Sequence, residues 1–153
     1  MSLRRIDIRP TGAHGTAGAI DRLEAEILKG PQVDLQTRNV VIGRMIARTI
    51  TIPAGTVLTG ATHRKDHFNI VQGDITVSTD AGMVRLTGQH VLPTKAGHRR
   101  VGYAHADTEW TTVVQTDLSD IEEIENELVV ESERLQTRQQ QLTAGGPSSL
   151  LKD

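Results

Sequence analysis

The chain has 153 residues, with 17 Lys and Arg against 19 Asp and Glu, and only one Trp, one Tyr and one Phe. That length allows one domain with an aliphatic core, and the near-balanced charge gives no broad electrostatic attraction to nucleic acid or to an anionic membrane. The absence of cysteine excludes disulfides, thiolate nucleophiles and cysteine-ligated zinc or iron–sulfur sites.

In chain order, residues 1–43 read as an N-terminal arm. "MSLRRIDIRP" carries two arginines with no apolar run behind them, so a signal peptide is not expected. No apolar stretch approaches the roughly 20 residues needed to span a bilayer, and a soluble protein is expected. Gly12, Gly15 and Gly18 make the start flexible. Ile20, Leu23, Ile27 and Leu28 then recur at helical spacing, and Gly30 and Pro31 end a short amphipathic helix. An extended "QVDLQTRNVV" follows.

Residues 44–116 change character. Short β-branched runs are separated by Pro-Ala-Gly, Gln-Gly-Asp, Asp-Ala-Gly and Lys-Ala-Gly, which read as turns. Ile50 and Ile52, and again Ile75 and Val77, alternate as strands do. This pattern predicts a mostly β fold, an antiparallel sandwich or barrel.

Residues 117–143 predict a C-terminal helix. Ser119 and Glu122 have capping-box spacing, and acidic residues crowd the first turns while Arg134 and Arg138 come late. Ile121, Leu128, Leu135 and Leu142 recur every seven residues, with Ile124 close to the same stripe. Such a narrow stripe suits either a helix packed on its own barrel or an interface with a neighbouring subunit. Residues 144–153, "AGGPSSLLKD", read as a flexible tail.

The middle of the chain carries "IPAGT" at 52–56, "HRKDHFNIVQGD" at 63–74 and "GQHVLPTKAGHRR" at 88–100. Gly55, Gly73, Gly88, Pro93 and Gly97 match the turn skeleton of the cupin motifs, so the chain resembles a cupin, the double-stranded β-helix or jelly-roll barrel. Residues 31–128 resemble, more narrowly, small cupin-like proteins of tailed bacteriophages whose role is unassigned. The resemblance implies a cupin barrel with an N-terminal arm containing a short helix and a C-terminal α-helix.

A catalytic cupin holds a divalent metal with three His and one Glu, ligands suited to iron or manganese. Carried over position by position, the first His falls on Ala61, the second on His63, the Glu on Asp66 or His67, and the last His on Arg100. A guanidinium cannot ligate. If a metal site exists, its candidates are His63, Asp66, His67 and His98, with His105 able to join only if the chain bends inward. Strand alternation puts His63 and His67 on one face and Asp66 on the other. Arg100 is a candidate for an ion pair or for an anionic ligand such as a carboxylate or phosphate.

No Gly-x-Ser-x-Gly or phosphate-cradling motif is present. "GHRR" with Lys95 makes a small basic corner, read as a solvated loop or a subunit contact. Trp110 is read as core or interface packing.

Two functions follow as expectations. The first is a non-enzymatic structural or assembly protein of a bacteriophage particle, in the tail or neck, assembled in the host cytoplasm. It would need no cofactor and would oligomerise through its terminal extensions. Its partners would be copies of itself and other phage structural proteins, with no nucleic acid and no membrane. Ile121, Ile124, Leu128, Leu135 and Leu142 would form the oligomer interface. The alternative is a metal-dependent or anion-binding cupin enzyme acting on a small metabolite in the infected cell.

Overall fold

The computed structural model describes residues 17–137. Its elements are α1 (Ala17–Leu28), β1 (Arg38–Ile42), β2 (Met45–Ile52), β3 (Val57–Thr59), β4 (His67–Thr79), β5 (Gly82–Thr94), β6 (Val101–Ala104), β7 (Thr108–Gln115) and α2 (Ile121–Leu128), followed by a 3₁₀ turn, Ser132–Arg134. The seven strands form one sheet in the order β1-β2-β7-β4-β6-β3, with β5 on β4. All pairings are antiparallel. The fold is mostly β, a curled jelly-roll-type sheet with a short helix at either end. No described helix is long and apolar enough to cross a membrane.

The turn residues explain most of this. β1 and β2 join through Gly43 and Arg44, both with positive φ, the two-residue hairpin geometry that matches strand twist. Arg44 is not a glycine, and its guanidinium is held by Asp117 at 2.8 Å. Gln-Gly-Asp, read above as a turn, is instead a bend inside one continuous strand. β4 runs unbroken through Gly73, which lies opposite Gly88 of β5. Two facing glycines remove both side chains where the hairpin must curve.

Two apolar clusters fill the inside. Ile52, Val71, Ile75, Val77 and Ala104 form one, backed by Ile50, Leu58 and Trp110. Ile46, Val114, Ile124, Leu128 and Val129 form the other, with Ile121 and Leu135 packed against it. α2 therefore closes one end of its own barrel. Of the five residues considered for a subunit interface, Ile121, Ile124, Leu128 and Leu135 lie in or against this inner cluster, and Leu142 lies outside the described residues, as does the 144–153 tail.

α2 is shorter than the sequence suggests. Asp120 caps it in place of Ser119, its side chain accepting the Glu123 N–H. The helix stops at Leu128 because the β-branched Val129 turns extended and pairs with His63. The Arg64 N–H donates to the Leu128 carbonyl at 2.7 Å and the Val130 N–H to the Thr62 carbonyl at 3.0 Å. Backbone groups left over at the helix end are thus taken up by the chain just before β4.

α1 is tied down by the basic corner. Arg99, nearly buried, bridges to Asp21 at 2.5 Å and to Glu24, and its Nε donates to the Gly60 carbonyl. Ile20 of the same helix is buried.

Candidate functional site

β2, β4 and β7 turn alternate side chains inward, and the inward set is not wholly apolar. Between the two clusters lies a cavity of about 80 Å³. Ile50, Ile52, Leu58, Ile75 and Val77 make its apolar wall, while His63, His67, Asn69, Thr94, His98 and Arg100 gather at the other side, with Trp110 alongside.

The polar side is one connected network. The Trp110 Nε1–H and the Thr112 hydroxyl donate to Asn69 Oδ1 at 3.0 and 3.1 Å, and Asn69 Nδ2 donates to Thr94 Oγ1 at 2.8 Å. Arg100 Nη2 donates to the same Thr94 oxygen at 3.1 Å, and Nη1 to the Ser78 carbonyl at 2.8 Å. The Nε of Arg100 is buried with no hydrogen-bond partner. Among the described residues no carboxylate forms an ion pair with Arg100, and burial works against its charge.

The histidines are placed unevenly. The rings of His63 and His67 lie 4.3 Å apart, tilted by 37°. His67 Nδ1 is 2.9 Å from the Lys65 carbonyl, so Nδ1 carries the proton and Nε2 is left as an acceptor. Asp66 faces outward, accepting the Ala96 N–H and pairing with Lys95. His98 lines the cavity but lies 3.4 Å from the exposed Asp80. His105 is outside it, beside Thr76 and Tyr103. Asn69 and Thr94 belong to the site although no sequence motif marks them, and Trp110, which reads as packing in the sequence, joins them through its Nε1–H. Parity was the available signal, since Asn69 is two residues from His67 and must share its face.

This donor set does not fit the divalent metal that the cupin resemblance implies. Among the described residues no three His, Asp or Glu side chains converge as ligands. Arg100 stands in the same cavity, and its charge disfavours protonation of His67; the same field opposes a divalent cation.

Burial first, and then His67, push the proton affinity of His63 down to about 4 from the usual 6.5. His67 is lowered too, again by burial first. Both are therefore neutral in the folded protein near neutral pH. The unfolded chain binds the His63 proton more tightly, so this contribution to stability is whole above pH 6.5 and is lost as pH falls toward 4. The loss amounts to roughly 3 kcal/mol. Asp66, Asp74, Asp117 and Glu127 are lowered by their hydrogen bonds, and their contributions disappear only at lower pH. Urea midpoints measured between pH 7 and 4.5 are expected to fall in the wild type and to flatten in His63→Gln. An equally steep fall in that variant would assign the pH dependence elsewhere.

No protein-family model matches the sequence, and no curated protein is significantly similar to it. Solved structures with a similar course of chain include a cupin superfamily protein from Desulfitobacterium hafniense DCB-2, 14% identical over 57% of this chain and 84% of that one, with a TM-score of 0.44. KdgF from Halomonas sp. is 15% identical over 59% and 91%, with a TM-score of 0.46. Ectoine synthase from P. lautus is 16% identical over 60% and 70%, with a TM-score of 0.45.

Proposed function

We propose that the barrel is a metal-free binding site for a small, mostly aliphatic molecule carrying one carboxylate. The observation that carries this is Arg100. It is a half-buried guanidinium on the polar side of the cavity, with one buried N–H unspent and no carboxylate within ion-pair distance among the described residues, Asp80 acting on it only from further away. A buried charge is costly unless paired, and planar carboxylates match a guanidinium well. The neutral histidines add hydrogen-bonding capacity without a second fixed charge, which favours a monoanion. The cavity has room for roughly five to eight non-hydrogen atoms.

Calorimetry with butyrate and 3-methylbutyrate as probes tests this. Binding to the wild type is expected to weaken by about tenfold or more in Arg100→Met. The ligand-free variant should be as stable as the wild type or more so, because it no longer buries an unpaired charge. Equal binding by both proteins, or no binding of either probe at millimolar concentration, would sink the reading.

A second reading is an assembly protein of a bacteriophage particle, with a weak preference for the tail or neck. The resemblance and the incomplete ligand set support it. Detection of the chain in purified particles at a fixed ratio to their other proteins tests it, and its absence there would refute it.

A further inference from the structure

The outer face of the sheet carries an uninterrupted apolar row. Register places Val40 beside Ala47, Ala47 beside Val113, Val113 beside Phe68 and Phe68 beside Pro93, crossing β1, β2, β7, β4 and β5 in turn. Ile42 and Met45 extend it toward one end of the strands, and Ile70 and Val91 toward the other. These are not buried side chains in disguise: Ile42 is 71% exposed, Val40 61%, Val91 58% and Phe68 53%.

We infer that this face is the contact between two copies of the chain, packed sheet against sheet about a two-fold axis. Three observations select a second copy. The first is shape. The row has a small residue, Ala47, one strand to one side of the central β7 and a large one, Phe68, one strand to the other. A two-fold axis parallel to β7 in the plane of contact lays Phe68 of each copy over Ala47 of the other. A self-complementary patch of this kind is what an isologous interface requires.

The second is charge. Around the patch, Arg38 pairs with Glu109 at 3.0 Å, Arg44 with Asp117 at 2.8 Å, Lys95 with Asp66 at 3.2 Å, and Lys65 with Glu127. Identical faces repel when they carry net charge, and these four pairs add none. A polyanion or an acidic peptide would find no free cation among these groups.

The third is area. The central row crosses five strands about 4.8 Å apart, roughly 20 Å, and two apolar residues beyond each end of it carry the patch about 7 Å further along the strands, on β1 and β2 at one end and on β4 and β5 at the other. That approaches the largest patches that monomers leave open. The apolar patch would form the centre of the contact, and a polar rim around it would have to supply the rest of the ~800 Å² per partner of a standard stable pair.

The test is the molar mass of the full-length protein in solution, by light scattering over a dilution series, for the wild type, Phe68→Glu and Ile42→Glu. Both positions face solvent in the single chain, so both variants should keep the wild-type circular dichroism and melting behaviour when dilute. The wild type is expected to show twice the chain mass and each variant one chain mass. Ala47→Phe, which fills the hollow without adding charge, should also give one chain mass. A wild type that stays monomeric at high concentration would overturn the inference and leave the terminal residues of the same chain as the cover. A dimer untouched by all three substitutions would overturn it as well, placing the contact elsewhere.

Discussion

Replacing Gly73 with alanine is expected to cost about 3 kcal/mol of stability or more, the largest effect of any single methyl group considered for this chain. Gly73 sits at the bend of β4 with φ of +146°, where side chains are rarely found. A Cβ there would lie 2.5 Å from Thr108 Oγ1, 2.7 Å from Thr108 Cα and 2.8 Å from the Asp107 carbonyl oxygen. Two of those three atoms are backbone, so no rotamer change relieves the clash. Thr108 is fully buried, and its hydroxyl accepts the Asp74 N–H and donates to the Ala106 carbonyl. Pushing it away breaks the junction of β4 with β7.

Gly82→Ala is the control. Its φ is +103°, but nothing lies within 4 Å of the added carbon, so only the backbone preference is lost, about 1 kcal/mol. Chemical denaturation of the two variants separates the contributions. Equal losses would mean that conformation and not crowding keeps glycine at position 73.

The second large effect is expected at Arg48. Its Nη1 is 2.7 Å from Glu125 Oε2, and the side chain of Glu125 is only 5% exposed. Thr137 ties the pair together, accepting from Arg48 Nη2 at 3.2 Å and donating to Glu125 at 2.9 Å. Arg48→Met keeps most of the aliphatic packing but takes the guanidinium away from a buried carboxylate, which costs about 3 kcal/mol. The double variant Arg48→Met, Glu125→Leu is expected to recover most of that loss, because an apolar pair of similar volume needs no desolvation of charge. Denaturant midpoints for the singles and the double decide it. A double variant no better than Arg48→Met would show that the pair stabilises by its own attraction.

Much of the fold could be read from turn chemistry and periodicity. Ile20, Leu23 and Ile27 marked α1, and the β-branched runs marked most of the strands. Local pattern failed where a long-range contact decided. Gly73 looks like a turn in sequence, and only the approach of Thr108, 35 positions later, makes it a bend. The heptad from Ile121 predicts a long helix, yet Val129 leaves it for a pairing with His63 across the fold.

The site divides in the same way. That Arg100 replaces a ligand could be seen by aligning motifs, and strand parity separates Asp66 from His63 and His67. The network through Thr94, Asn69 and Trp110 could not, because its members come from three strands far apart in sequence. Nor does anything near "GHRR" foretell that Arg99 would be claimed by Asp21 and Glu24 of the helix near the start.

The strand order has a consequence for how the molecule comes into being. Among the described strands β7 is the last to be synthesised, yet it lies between β2 and β4 in the sheet. A nascent chain that stops before Thr108 holds the β1–β2 hairpin on one side and the group β3-β6-β4-β5 on the other, each with an open edge and no shared ladder. The final strand closes both edges at once, as a keystone closes an arch, so the two halves gain their mutual stability in a single late step.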